Sequence, residues 1–171
     1  MHRHYPRVGL GWDMHRLAAG RPLVLAGVRL PCDKGPLGHS DGDVVLHAVI
    51  DAMLGAAGLA DIGQMFPDSD PALKGAASGK LVGLALAAVA NAGWQPVQVD
   101  TIVVLEQPKL APHKDALRAS LAGLLGLAVE DVNVKAKTAE GLGEVGRGEA
   151  IACYAVVMLG PIHRMGTEQL V

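Results

Sequence analysis

Cysteine, aromatic residues and runs of one charge sign are all scarce in this sequence of 171 residues. Its two cysteines, Cys32 and Cys153, are too few for a disulfide framework or for a zinc site built on cysteine alone. Lys and Arg number 15 against 17 Asp and Glu, and no basic run is long enough to follow a nucleic-acid backbone. The composition therefore argues against nucleic acid as a partner.

Long apolar runs are also missing. The longest, residues 81–90 and 150–160, fall short of the ~20 residues that cross a membrane, and no secretory signal pattern opens the chain. We therefore expect a cytoplasmic protein with no membrane partner. The length fits a single domain over residues 1–171, with an ordered core at about 8–159 and loose ends at 1–6 and 161–171.

Hydrophobic residues nonetheless make up 50% of the chain, and their spacing predicts strands that alternate with helices. Apolar residues at every second position predict a first strand that begins at Val8. Turn, capping and β-branched residues predict a short strand pair (23–25 and 27–30), helices from Ser40 or Asp41 to about Gly58, from Ser78 to 91–93 and from Pro112 to Gly126, and strands at 97–105, 132–138 and 150–159.

This order of elements favours an α+β fold. We expect a mixed four-stranded sheet with helices on one face, an arrangement of the ferredoxin-like type. Such a sheet leaves its other face bare, and a domain this apolar is expected to bury that face against further copies of itself.

Three side chains have the spacing of a metal site. Asp13 and His15 are two residues apart on the first strand, so both project from the same face. His47, about two turns into the first helix, can face the end of that strand, and one carboxylate with two imidazoles is the ligand set of a catalytic zinc with an open position. Asp51, four residues after His47, is a candidate to accept its second ring N–H. Spacing alone leaves open that the strand pair is only hydrogen-bonded and that residues 40–43 are only a helix cap.

At these residues the sequence resembles the 2-C-methyl-D-erythritol 2,4-cyclodiphosphate synthases, a family of the non-mevalonate isoprenoid pathway. The resemblance runs over roughly residues 8 to 159 in the family's order and spacing. It is carried by Gly11-Trp12-Asp13-Met14-His15, His39-Ser40-Asp41-Gly42-Asp43, Leu46-His47-Ala48, Asp61-Ile62-Gly63, Phe66-Pro67-Asp68-Ser69-Asp70-Pro71, Pro108-Lys109, Pro112-His113, Val132-Asn133-Val134-Lys135-Ala136 and Gly146-Arg147-Gly148-Glu149.

The resemblance implies a homotrimer with active sites between neighbouring subunits. It implies Zn²⁺ on Asp13, His15 and His47, and a second cation, Mg²⁺ or Mn²⁺, on Glu140. It makes His39 and Thr138 candidates for stabilising the transition state. The substrate contacts that it implies are Asp13, Met14, His15, His39, Ser40, Asp61, Ile62, Gly63, Phe66, Pro67, Asp68, Ser69, Asp70, Leu105, Glu106, Gln107, Pro108, Lys109, Leu110, Ala111, Lys137, Thr138, Ala139, Glu140, Glu144 and Arg147.

The implied reaction converts 4-diphosphocytidyl-2-C-methyl-D-erythritol 2-phosphate into the cyclic 2,4-diphosphate and CMP. The 2-phosphate attacks the β-phosphorus of the same molecule, so the nucleophile is already an anion. No general base is required, and the sequence shows no persuasive nucleophile–base motif. Two cations would stabilise the negative charge that develops, one on the β-phosphate and one on the leaving group.

The sequence departs from the family at three of these positions. Ala139 stands where members often have a threonine, and Glu144 stands where an aromatic residue is common, so an apolar cavity on the trimer axis is in doubt. Lys137 either adds a cation to the phosphates or points to solvent. Without the resemblance, Asp61, Asp68 and Asp70 are also consistent with simple turns.

Two other functions use the same residues. A metal-dependent phosphohydrolase acting on a related nucleotide diphosphate would release a linear phosphate, because water would be the nucleophile. A binding protein with a structural metal would close the site with a fourth protein ligand.

Overall fold

The computed structural model describes residues 5–38, 41–67 and 77–162. Five of the predicted contact residues lie outside these ranges: His39, Ser40, Asp68, Ser69 and Asp70. The strands are β1 (Arg7–Ala19), β2 (Leu23–Leu25), β3 (Val28–Leu30), β4 (Lys34–Pro36), β5 (Trp94–Val104), β6 (Val132–Lys137) and β7 (Ala150–Pro161). The α-helices are α1 (Val44–Ala57), α2 (Ile62–Met65), α3 (Ser78–Asn91), α4 (Lys114–Leu125) and α5 (Gly143–Gly146), with 3₁₀ turns at Ala111–His113 and Val129–Asp131.

The main sheet is mixed, in the order β4-β1-β7-β5-β6. β7 lies antiparallel between β1 and β5, and β6 runs parallel to β5. The four long strands are the four that the sequence predicts, and β4 is a fifth, three-residue strand on the end of β1. β2 and β3 form a separate hairpin, as predicted. Because β1, β5 and β6 point the same way, their carboxyl ends reach one edge of the sheet.

The helices cover one face of the sheet, and α1 packs directly on β1 and β7. Two glycines of β1 make this approach close. A Cβ atom on Gly9 would lie 1.9 Å from the carbonyl oxygen of Ala52, and one on Gly11 would lie 1.9 Å from that of Ala48. The backbone of α1 therefore rests against the backbone of β1.

The opposite face of the sheet is apolar and exposed, as predicted. We define the bare face by its exposed large side chains on β1 and β7, which are Val8, Leu10, Trp12, Met14, Tyr154 and Val156. Leu10 is 70% exposed, and the rings of Trp12 and Tyr154 lie 6.4 Å apart between centroids.

Helix α1 begins at Val44, later than predicted, and its cap is Asp43 rather than Ser40 or Asp41. Oδ1 of Asp43 accepts hydrogen bonds from the N–H groups of Val45 and Leu46, each at 3.1 Å. The same carboxylate accepts the N–H groups of Ala26 at 2.9 Å and of Gly27 at 2.7 Å, in the β2–β3 turn. Asp43 thus joins the hairpin to the helix. Its burial raises its pKa to about 6, although the backbone N–H groups act in the opposite direction.

Other boundaries differ by a few residues. Ser78 is the first residue of α3 and does not cap it, since the cap position is Ala77, which makes no side-chain cap bond. Pro112 is the second residue of a 3₁₀ turn that leads into α4, and Gly126 ends α4 as predicted. The last strand continues to Pro161, which pairs with Trp94, so Pro161 belongs to the sheet rather than to a loose end. Within the described ranges, no helix is both long enough and apolar enough to span a membrane.

Candidate metal and nucleotide site

The structure brings Asp13, His15 and His47 together beside the middle of β1. Nε2 of His15 lies 2.9 Å from Oδ2 of Asp13, and Nδ1 of His47 lies 3.1 Å from the same oxygen. The two histidine nitrogens are 3.1 Å apart. Gly11 permits this convergence, because α1 can bring His47 to the strand only where β1 has no side chain in between. We refer to these three residues as the triad.

The triad fits a tetrahedral metal ion. Donor atoms bound at zinc distances in tetrahedral geometry lie about 3.3 Å from one another, so the observed spacings of 2.9–3.1 Å need to widen by only a few tenths of an ångström. Two imidazole nitrogens and one carboxylate oxygen suit zinc better than magnesium or calcium, which prefer oxygen ligands. The three side chains keep 14–24% of their surface exposed, so the group remains open to a ligand.

The electrostatics of the triad favour an ionised Asp13. Burial alone would raise the pKa of this carboxyl group, but hydrogen bonds with His15 and His47, and the charge of both rings, outweigh burial and hold its pKa well below its usual range. Burial lowers the pKa of His47, and the hydrogen bond and charge of Asp13 outweigh this effect, so the net direction is upward. A cation that approaches the triad therefore meets an ionised carboxylate and two imidazole rings.

The second ring nitrogen of His47 does not bond to Asp51, and that prediction is wrong. Nε2 of His47 lies 2.9 Å from Oγ of Ser78, the first residue of α3. Oδ1 of Asp51 instead accepts the N–H of Ile62 at 2.8 Å, at the start of α2. Residue spacing on α1 places Asp51 on the same side as His47, but the ring nitrogen points towards α3.

A second group of predicted residues lies on the two loops that follow β5 and β6. The Glu106 carboxylate accepts the backbone N–H of Ala139 at 2.8 Å, and the N–H of Leu105 donates to the carbonyl oxygen of Lys137 at 2.9 Å. Thr138 donates its hydroxyl to Oε1 of Glu140 at 2.5 Å. Glu140 is exposed and has a φ of 52°, a left-handed conformation that costs a non-glycine residue energy and that often marks functional sites.

The strand that carries Asp13 and His15 and the strand that leads to Glu140 are not neighbours in the sheet. The pairing places Asp13 opposite Cys153 and Cys153 opposite Val103, while Val103 pairs with Ala136 of β6. β7 and β5 therefore separate β1 from β6, which at the usual strand spacing is roughly 14 Å. This strand separation exceeds the few ångströms that a diphosphate spans.

Known proteins share this fold and this sequence. A sequence model described as the YgbB family matches residues 6–160, nearly all of the described chain. The chain belongs to the YgbB family. A 2-C-methyl-D-erythritol 2,4-cyclodiphosphate synthase of Chromobacterium violaceum is 56% identical over 153 residues, which cover 90% of this chain and 97% of that protein.

Solved structures agree with this YgbB assignment. A structure of 2C-methyl-D-erythritol-2,4-cyclodiphosphate synthase in a form bound to CDP matches with a TM-score of 0.84 and 42% identity, covering 90% of this chain and 99% of that one. The bifunctional IspDF of Campylobacter jejuni matches with a TM-score of 0.87 and 41% identity over 92% of this chain, which spans 42% of that longer protein. The fold and the family expected from the sequence are confirmed.

Other predicted contact residues of this YgbB protein take structural roles as well. Asp61 caps α2, and hydrogen bonds from the backbone and side chain of Gln64 lower its pKa. The half-buried Ile62 and Phe66 pack against the core next to it, while Gly63 and Pro67 are exposed. The side chains of Leu105 and Leu110 are buried in the core, so only their backbone can line a pocket. Three further predicted contact residues, Gln107, Pro108 and Lys109, lie between these two leucines, and Ala111 follows them. The Gln107–Pro108 peptide bond is cis.

Three charged residues of this YgbB protein stand near α5. Arg147 is exposed and donates from Nε and Nη2 to the two carboxylate oxygens of Glu149, each at 3.1 Å. Its Nη2 also lies 3.7 Å from Oε1 of Glu144. The hydrogen bonds and the charge of Glu149 raise the pKa of Arg147.

Lys137 is exposed on the same face of β6 as Lys135, opposite the helices.

Sequence reasoning missed Ser78 and Asp41 as partners of the triad. Ser78 was expected only as a helix cap, and Asp41 only as a turn or cap residue. No local spacing connects residue 78 to residue 47, because the contact arises only when α3 packs beside α1.

Proposed function

We propose that this chain converts 4-diphosphocytidyl-2-C-methyl-D-erythritol 2-phosphate into 2-C-methyl-D-erythritol 2,4-cyclodiphosphate and CMP, as a phosphorus–oxygen lyase. The observation that carries the proposal is the triad of Asp13, His15 and His47, which converges with an open side in a chain of this family. The match to relatives named as cyclodiphosphate synthases extends over almost the whole length of those proteins, which supports the same reaction here.

We propose Zn²⁺ on the triad and Mg²⁺ or Mn²⁺ on Glu140. The donor chemistry supports this division, since imidazole nitrogens suit zinc and a lone exposed carboxylate suits a hard cation shared with phosphate oxygens. The metals would supply charge stabilisation on the phosphate oxygens. The left-handed backbone at Glu140 supports a functional role for this residue, because such strain persists where the surrounding structure holds it.

The chain's own residues mainly bind and orient. The 2-phosphate is already anionic, so the protein needs no base to activate it, and holding the two ends of the substrate close together supplies the orientation that an intramolecular attack requires. Thr138 can donate its hydroxyl to the diphosphate in place of Glu140, and we propose His39 as a second stabilising donor. Lys137 lies on the face of β6 opposite the helices. Within one chain it therefore points to solvent, and it could reach a phosphate only if a second copy of the chain brings one to that face.

The substrate-binding residues proposed from the family likeness fall into three groups. His39 and Ser40 would contact the phosphate of the erythritol half, with Arg147 in the phosphate region. Asp61 to Gly63 and Phe66 to Asp70 would surround the methylerythritol. Leu105 to Ala111 and Lys137 to Glu140 would hold cytidine and diphosphate, and the related structure bound to CDP supports a nucleotide site of this kind.

We also propose a cytoplasmic homotrimer whose active sites lie between neighbouring subunits. Two observations support the shared site: the bare face is apolar, and β1, which carries Asp13 and His15, lies roughly 14 Å from β6, the strand that leads to Glu140. Asp13 and His15 project from the opposite, helix-covered face, so a copy on the bare face would have to bring its Glu140 loop round β1 to the triad. Leu10→Asp, which adds a charge at the centre of this face, should convert the trimer to a monomer in sedimentation velocity and abolish turnover while the triad keeps its metal.

The decisive experiment is incubation of the purified protein with the diphosphocytidyl substrate, zinc and Mg²⁺, followed by phosphorus NMR. We expect CMP and the cyclic diphosphate in equal amounts. A linear phosphate would show that water is the nucleophile and would favour a phosphohydrolase. His47→Ala should lose both bound zinc and cyclisation, whereas Glu140→Gln should lose most activity at limiting Mg²⁺ and keep its zinc; the reverse pattern would contradict these roles.

A further inference from the structure

Ser78 lies between His47 and Asp41 in an unbroken chain of hydrogen bonds. Its hydroxyl oxygen is 2.9 Å from Nε2 of His47 and 2.5 Å from Oδ1 of Asp41. The side chain of Ser78 is fully buried. The backbone N–H of the same serine donates to the other carboxylate oxygen, Oδ2, at 3.1 Å.

The direction of these bonds follows from their donors and acceptors. An ionised carboxylate only accepts, so the Ser78 hydroxyl donates its single hydrogen to Asp41. The lone pair of the hydroxyl is then left to accept from Nε2–H of His47. With its hydrogen on Nε2, the neutral ring presents the lone pair of Nδ1 on the side that faces Asp13 and His15.

We propose that Ser78 and Asp41 are positioning residues that hold the His47 ring in the tautomer and orientation that bind a metal through Nδ1. The inference rests on the proposed function in one respect, namely that the triad holds zinc. Outer partners of this kind fix ring orientation and raise the basicity of the metal-bound nitrogen, and their loss usually weakens metal binding by about 10- to 100-fold.

The positioning role can be separated from a purely structural one. Asp41 also ties down the first N–H of α3, a helix whose cap residue Ala77 makes no side-chain bond. That contact uses the backbone of Ser78 and therefore survives in Ser78→Ala. The hydroxyl makes the hydrogen bond to His47, so its removal tests the link to the metal without removing the tie to the helix.

The test measures zinc affinity by competition with a chromophoric chelator in four variants. Ser78→Ala should weaken zinc binding about 10- to 100-fold, and Ser78→Thr, which keeps the hydroxyl, should stay within about 3-fold of the wild type. Asp51→Asn removes the carboxylate next to His47 on α1 that does not contact the ring, and it should leave zinc affinity unchanged. Ser120→Ala is the matched control, because it deletes a serine hydroxyl bond of a half-buried residue, to the carbonyl oxygen of Ala26 at 2.6 Å, that involves no residue of the triad.

Each variant is prepared free of metal, and its thermal unfolding is compared with that of Ser120→Ala to show that it is folded. Its apparent zinc affinity then decides the outcome. If Ser78→Ala binds zinc as tightly as the wild type, the inference is overturned while the proposed function stands. If the wild-type protein binds no zinc, the metal assignment and this inference fail together. Should Ser78→Ala not fold, Asp41→Asn takes its place. Weaker zinc binding in that variant supports the positioning role of Ser78 and Asp41, and wild-type affinity overturns it. At saturating zinc, Ser78→Ala should regain most of its kcat, which a merely unfolded variant would not.

Discussion

The carboxylate of Glu106 accepts the backbone N–H of Ala139 at 2.8 Å and so fastens the loop after β6 to the loop after β5. Both loops carry residues proposed to hold the nucleotide, and the bond fixes the segment that places Thr138 and Glu140. A hydrogen bond to a charged acceptor contributes about 1.5–3 kcal/mol.

Glu106→Ala should therefore lower kcat/KM about 10- to 100-fold, because the 138–140 segment loses its anchor. Glu106→Gln keeps an acceptor oxygen and should lose much less. Zinc content should remain at the wild-type level in both, since the triad lies on β1 and α1 and not on these two loops. Steady-state kinetics with metal analysis checks this, and equal kinetics for the Ala and Gln variants would contradict the anchoring role.

Gly11→Ala should displace α1 from β1. The new Cβ would lie 1.9 Å from the carbonyl oxygen of Ala48 and 2.7 Å from the backbone N of Ala52, both rigid backbone atoms. We expect a loss of about 3 kcal/mol or more in the free energy of unfolding, with weaker zinc binding because His47 moves with the helix.

Gly55→Ala is the matched control for this change. Gly55 is an exposed residue of α1, and a Cβ there meets nothing within 4 Å. The same substitution should stabilise the protein by roughly 0.5–1 kcal/mol. Chemical unfolding of both variants tests the pair, and a Gly11→Ala protein as stable as the wild type would show that the helix can shift without cost.

Asp43 should make folding depend on pH between about 4 and 6. Burial raises its pKa from 3.8 in the unfolded chain to about 6 in the folded state. The folded protein then binds the extra proton in this window, so its stability falls as pH rises from 4 to 6, by on the order of 3 kcal/mol. Above pH 6 the loss is complete, and below pH 4 the contribution is fully present.

Asp43→Asn removes this titration while keeping an oxygen that can accept the N–H groups of Val45 and Leu46. Urea unfolding of the metal-free proteins at pH 4 to 7 should show the wild type losing stability relative to the variant as pH rises. Parallel curves for the two proteins would mean that the four amide donors hold the carboxyl group ionised throughout. The variant should also be less stable at low pH, because its amide N–H group faces a backbone donor at Gly27.

Arg7 should contribute to stability through the end of α1. Its Nη1 donates to the carbonyl oxygens of Ala57 at 3.1 Å and Ala56 at 3.4 Å, and its guanidinium carbon lies 4.3 Å from the ring centroid of Trp94. Arg7→Ala should cost about 1–3 kcal/mol, and Arg7→Lys about half as much, because lysine keeps the charge but not the planar fork. Thermal unfolding followed by tryptophan fluorescence measures both; no change in either variant would sink the prediction.

Elements with a strict period were predictable from the sequence. The alternation that starts at Val8 predicted β1 and the assignment of its residues to two faces. It also predicted that Asp13 and His15 point in the same direction, because successive side chains of a strand project to opposite faces. The C-cap glycines Gly58 and Gly126 gave the helix ends for a similar reason, since each has a left-handed φ.

Features that depend on packing were not predictable. Asp43, rather than Ser40 or Asp41, caps α1 because the amides of the β2–β3 turn come to the same carboxylate, and no local pattern announces that. Asp51 has the helical spacing expected of a partner for His47, but spacing fixes only the side of the helix and not the direction of a ring nitrogen. The short strand β4 has three residues with no alternation, so its pairing with β1 appears only in the fold.

The contact of α1 with the glycines of β1 has a consequence for how this protein can vary. Where helices are held by interlocking side chains, each core substitution shifts the helix a little, and any residue it carries shifts with it. Here the backbone of α1 at Ala48 and Ala52 contacts the backbone of β1 at Gly11 and Gly9, so main-chain atoms set the distance between helix and strand. We therefore expect conservative substitutions of Leu46, Ile50 or Met53 to leave His47 within reach of Asp13. The distance between the metal ligands of β1 and α1 thus depends on the absence of a Cβ atom at Gly9 and Gly11, and we expect any larger residue at either position to disturb the site.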